Sequence, residues 1–135
     1  MFIAPSLPRL NATAKASQQR SQPPLIEHPF GYVYRPIWHN RFWEVLSIIW
    51  GDRQTSKPHC HQVSFNLTRV QSGCILERKY RTSGGQLVVA SERVLTAGQW
   101  TWTLPFQVHE LIGLGDRSQT LHFYFPGRKS TVHHP

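Results

Sequence analysis

Apolar and polar residues alternate along this chain in short runs. "RFWEVLSIIW" (41–50) is almost continuously apolar and has the length of a buried strand. "VSFNLTRV" (63–70) alternates and leads into Ser72-Gly73, a predicted turn. "CILERKYR" (74–81) alternates again and ends at Ser83-Gly84-Gly85, a hairpin signal. "QLVVAS" (86–91), "RVLTAGQWTWTL" (93–104, broken at Ala97-Gly98), "HELIGL" (109–114) and "QTLHFYF" (119–125) complete the series. No segment carries a convincing helical period. About seven or eight short strands separated by turns predict an all-β domain, a sandwich or a barrel of jelly-roll type.

The first 29 residues have a different texture. "NATAKASQQRSQPP" lacks periodicity and reads as linker. The predicted organisation is a flexible Pro-rich N-terminal arm (1–29), a barrel (30–128) and a short tail (129–135). Residues 1–26 hold Arg9, Lys15 and Arg20 but no acid, a loose organelle-transit composition. The expected location is nevertheless the cytoplasm, with organelle targeting the alternative, because the two cysteines, Cys60 and Cys74, make no disulfide framework and fit a reducing compartment.

The remaining composition narrows the partners. Five Trp and seven Phe among 135 residues supply a core for a single monomeric domain. No apolar run approaches the ~20 residues of a spanning helix, so no membrane partner is expected. The net charge of +8 raises the question of nucleic acid. Its cations are scattered singly, and only Arg78, Lys79 and Arg81 cluster. A solvated basic surface is the expectation, without nucleic-acid binding.

The candidate chemistry lies in the histidines. In "PHCHQ", His59 and His61 are two apart, so on an extended segment both imidazoles share one face and Cys60 takes the other. Alone, H-x-H fits surface histidines as readily as a metal pair. His109, about 48 residues downstream at the start of an apolar strand, is a third ligand candidate if antiparallel pairing returns it to the first two. Three imidazoles without a carboxylate suit Fe, Zn, Cu or Ni. In "TLHFYF", Thr120, His122 and Tyr124 share one strand face and Leu121, Phe123 and Phe125 the other. The polar face is either a hydrogen-bonded relay or the outside of an edge strand.

Taken in order, these motifs resemble the cysteine dioxygenase family of thiol dioxygenases, within the cupin superfamily, over residues 32 to 128. A tyrosine–arginine element precedes a strand ending near a tryptophan. H-x-H follows, with Ser64 three residues after the second histidine and Gly73 twelve after it. Then come the hairpin, Gly98, Val108-His109-Glu110 and "TLHFYFP". The resemblance implies a small cupin-type jelly-roll barrel holding Fe(II) through His59, His61 and His109. It implies Arg35 as the substrate carboxylate partner and Thr120, His122 and Tyr124 as an outer triad. The implied reaction takes a small thiol carboxylate (cysteine or 3-mercaptopropionate) and O2 to a sulfinic acid.

The chain departs from that pattern at several points. Cys60 stands where Asp is usual, Gln62-Val63 replaces a small Gly-containing pair, and Asn66 removes any cysteine crosslink to Tyr124. The alternative is therefore a degenerate, non-catalytic metal-binding cupin. His28, His39, His133 and His134 are read as surface or terminal, Trp100 and Trp102 as barrel packing, and Cys74 as core. Trp50 is read as pocket lining or core packing.

Overall fold

The computed structural model describes residues 21–128 and 132–134. Most of the expected arm and the transit-like segment lie outside them. Within them the chain runs through β1 (Ile26–Glu27), β2 (Val33–His39), β3 (Glu44–Trp50), β4 (His59–Cys60), β5 (Phe65–Ser83), β6 (Gln86–Thr96), β7 (Trp100–Thr103), β8 (His109–Phe125) and β9 (Val132–His133). No helix is present among the described residues, and none is long and apolar enough to cross a membrane.

Alternation makes the strands, but two of them are longer than the turn signals suggest. Ser72-Gly73 does not reverse the chain. It lies inside the 19-residue β5, opposite a bulge of β8 in which residues 115–118 face Gly73 alone. A Ser-Gly pair allows positive φ for either a turn or a bulge, and Gly73 sits at φ 75°. What decides is the partner strand: β8 pairs with β5 on both sides, from Phe65↔Phe125 to Lys79↔His109. Ser118 closes the bulge, its Oγ accepting from Cys74 N at 3.0 Å and donating to Cys74 O at 2.8 Å. The break at Ala97-Gly98 does separate two strands, and Ser83-Gly84-Gly85 does close a hairpin.

The sheet curls, in the order β1-β2-β3-β8-β4-β9, with β5 on β8 and both β6 and β7 on β5. Its concave face buries Leu46, Ile48, Trp50, Val70, Ile75, Leu111 and Tyr124. Beside this apolar cluster the interior is unusually polar: His59, His61, Asn66, Thr68, Glu77, Thr101, Thr103, His109, Thr120 and His122 are all buried. Buried polar groups need partners, so this half of the barrel is built as a hydrogen-bonded network.

Trp100 and Trp102 correct the sequence reading. They are 44% and 54% exposed, while Thr101 and Thr103, which alternate with them, face inward. The inward side of β7 looks onto buried carboxylate and imidazole, which require hydroxyls rather than indoles.

Close packing beside the network leaves no room at Gly113 in β8. A Cβ there would lie 2.4 Å from Gly51 O and 2.8 Å from Trp50 Cβ. Backbone oxygen cannot swing aside as a side chain does, so Gly113→Ala is expected to destabilise the fold by about 3 kcal/mol. Urea denaturation followed by circular dichroism measures this, and an unchanged midpoint would contradict it.

Candidate metal centre

Strand pairing brings the three histidines together. His59 lies directly opposite His109 where β4 pairs with β8, and His61 follows on the same face as His59. Positive φ at Lys57 (55°) and Gln62 (51°) brackets the pair and turns the backbone so that both rings point inward. His59 Nε2 is 3.1 Å from His61 Nε2, which is 3.2 Å from His109 Nε2. All three residues are buried.

Their outer nitrogens fix which lone pairs face the centre. His59 Nδ1 lies 2.7 Å from Lys57 O. A carbonyl only accepts, so Nδ1 carries the proton and Nε2 is bare. His109 Nδ1 lies 3.1 Å from Thr103 Oγ1, with Glu77 Oε1 at 3.8 Å. Burial first, and then the neighbouring imidazoles, push the pKa values of His59 and His61 well below the usual histidine range. Crowded, inward-facing ring nitrogens cannot all satisfy one another by hydrogen bonds. One cation shared among them can, and N···N separations near 3.2 Å match ligands about 2.1 Å from one ion. The donor set therefore fits a divalent transition metal.

Next to this cluster runs a chain of hydrogen bonds whose direction can be followed. Trp50 Nε1 donates to Thr120 Oγ1 at 2.9 Å. Thr120 then donates to His122 Nε2 at 2.7 Å, which leaves the His122 proton on Nδ1. On the other side, Thr68 Oγ1 donates to Asn66 Oδ1 at 2.8 Å and so accepts from His122 Nδ1 at 3.1 Å. Asn66 Nδ2 finishes the chain on Phe123 O at 3.3 Å. Tyr124 Oη lies 3.4 Å from His122 Nδ1, a weaker second branch. In that branch the phenol oxygen accepts, and its own proton remains available to a group in the cavity. Burial raises the Tyr124 pKa, and burial lowers that of His122 to about 3, so both stay neutral near pH 7.

A cavity of about 200 Å³ opens onto these groups. Leu46, Ile48 and Leu111 give it an apolar wall, Tyr32, Tyr34 and Tyr124 a phenolic one, and Arg128 its cation. The Arg128 guanidinium lies 4.5 Å from the Tyr124 ring centroid. Glu44 holds it, with Nη2 at 2.6 Å from Oε1 and Nε at 3.3 Å from both oxygens. Burial disfavours the charge of Arg128, but Tyr124 and Glu44 more than offset this and raise its pKa above the ordinary value.

Arg35 is not brought to this site. It stands on β2 opposite Ser47, its Nη1 donates to Gln22 Oε1, and its neighbour Tyr34 lines the cavity instead. Successive side chains on a strand alternate faces, so the two cannot both point inward. His28 and His133, read from sequence as surface or terminal, both line the cavity mouth. His133 reaches it because β9 pairs with β4 at His59↔His133. Trp50 both packs in the core and lines the cavity. Sequence reasoning missed Arg128, which follows the last long strand without a motif. It also missed Glu77, although Glu77 shares a strand face with core Ile75 and that parity marks it as inward.

No protein-family model and no curated protein matches the sequence. Solved structures do match. KdgF from Halomonas sp. aligns with a TM-score of 0.66 at 15% identity, covering 78% of this chain and 88% of that one. An RmlC-like cupin from Shewanella frigidimarina aligns at 0.65 and 16% identity, over 80% and 87% of the two chains. A recombinant oxalate oxidase in complex with glycolate aligns at 0.65 and 16%, over 78% and 56%. At these identities the likeness establishes the fold.

Proposed function

We propose that this cupin-fold chain is an Fe(II)-dependent thiol dioxygenase. It would take a small thiol carboxylate, cysteine or 3-mercaptopropionate, with O2 to the sulfinic acid. The observation that carries the reading is the convergence of three buried imidazoles beside a phenol with a free proton and a half-buried guanidinium. Fe(II) held by His59, His61 and His109 would supply a redox-active Lewis acid with open positions for a thiolate and O2. The protein's own part is to position the organic substrate. Arg128 presents the cavity's cation to the carboxylate, the role expected of Arg35. Tyr124, oriented through His122 and Thr120, donates its phenol proton into the cavity. Leu46, Ile48 and Leu111 keep water from the reacting sulfur. The thiol and both atoms of O2 together give the sulfinic acid, so no other reductant is required.

Oxygen-electrode traces of iron-loaded protein with cysteine, 3-mercaptopropionate and cysteamine test the reading. Uptake matched one-to-one by sulfinate is expected with a thiol carboxylate, and an iron-loaded protein inert to all three overturns it. Arg128→Gln is expected to raise KM for the thiol carboxylate about 10- to 100-fold, the loss of a charge-assisted contact. Arg35→Gln should leave KM within about twofold.

One observation favours a second reading. Arg128 is already neutralised by Glu44, as suits a metal-binding cupin that no longer turns over an anionic substrate. Stoichiometric metal without oxygen uptake would mark that case.

A further inference from the structure

Glu77 has no part in the reaction proposed above, yet it lies behind the metal centre. Its side chain is 3% exposed, on the inward face of β5. Oε2 accepts from Thr101 Oγ1 at 2.7 Å and lies 3.7 Å from the Arg93 guanidinium. Oε1 is buried without a hydrogen-bond partner and faces His109 Nδ1 at 3.8 Å. That separation is too long for a hydrogen bond, and Nδ1 meets Thr103 Oγ1 instead. Glu77 therefore acts on the His109 ring through space, without a hydrogen bond between them.

A carboxylate without a compensating partner is costly to bury. Arg93 offsets it only in part, because its own side chain is 53% exposed. Lys79 adds a weaker favourable charge, and Oε1 itself faces the ring of a histidine whose far nitrogen points at the candidate metal. A three-imidazole set contributes no negative charge, so a divalent ion placed there faces a neutral cage. Glu77 is the nearby anion that such an ion would meet through His109.

We infer that Glu77 is a positioning residue for the metal centre, whose buried carboxylate strengthens His109 as a donor and supplies the charge that the three histidines lack. The inference rests on the metal-binding part of the proposed function and not on the oxidation of a thiol. Carboxylates behind metal-bound histidines typically set affinity by one to two orders of magnitude.

The test compares full-length wild type with Glu77→Gln, which keeps shape and removes charge. Co(II) affinity by chelator competition is expected to fall about 10- to 100-fold, while the melting temperature of the metal-free protein stays close to wild type. In the iron-loaded protein the Fe(III)/Fe(II) midpoint potential is expected to rise, because the lost anion stabilised the more highly charged state. Affinity within twofold of wild type, or an unchanged potential, overturns the inference. Should Glu77→Gln not fold, Arg93→Met probes the same charge from its exposed side. With the guanidinium gone the carboxylate is less neutralised, and Co(II) should bind up to about fivefold tighter; no gain overturns the inference. A protein that binds Co(II) in a Glu77-dependent way but oxidises no thiol would refute the dioxygenase reading and leave this inference standing.

Discussion

Replacing His61 with alanine is expected to strip the protein of its metal. His61 Nε2 stands between those of His59 and His109, at 3.1 and 3.2 Å, so its loss leaves two ligands instead of three. The loss of affinity should exceed the 10- to 100-fold typical of groups that only support a ligand. After iron loading and dialysis, metal content should fall from near stoichiometric to background, and oxygen uptake with it. The fold should survive. His61 is not part of the apolar core, and its buried Nδ1 has no hydrogen-bond partner, so truncation removes an unsatisfied polar atom together with the ring. Far-ultraviolet circular dichroism separates metal loss from unfolding. Near-stoichiometric iron in the folded variant would mean that the three ring nitrogens are not the binding site.

Acid is expected to destabilise the metal-free protein below pH 6.5. His122 is fully buried in its hydrogen-bond chain, and burial lowers its pKa to about 3 in the folded state. In the unfolded chain it titrates near 6.5. Between those values the unfolded state binds a proton that the folded state refuses, so stability falls as pH falls. The slope is about 1.4 kcal/mol per pH unit, or about 2 kcal/mol lost by pH 5 from His122 alone. His59 and His61, also lowered by burial, add losses of the same sign when no metal is bound. Urea denaturation at pH 7.5, 6.0 and 5.0 measures the effect. Equal stability at pH 7.5 and 5.0 would show that these rings can be protonated inside the fold.

Side-chain parity was the most readable feature of the sequence. It placed His59 with His61 on one face and Thr120, His122 and Tyr124 on another, because a strand allows only two directions. Parity does not say which face is the inside. Trp100 and Trp102 looked like packing, yet the threonines that alternate with them are buried, because β7 closes over Glu77 and His109. Ser72-Gly73 looked like a turn, since the same backbone conformations serve a reversal and a bulge. Only the length of β8 opposite it distinguishes the two. Arg35 matched a motif in order along the chain, but Tyr34 takes the inward position beside it. Arg128 enters the cavity from beyond the last long strand, where no periodicity announces it.

The sequence by itself determined an all-β chain, the places where strands must exist, and three histidines of the right kind at workable spacing. Tertiary structure alone decided that His109 returns to His59, that Arg128 rather than Arg35 faces the cavity, and that a carboxylate lies behind the third ligand. The reason is physical. Alternation and turn preference act over a few residues and are written locally, whereas pairing register, and the charge one strand presents to another, depend on residues far apart along the chain.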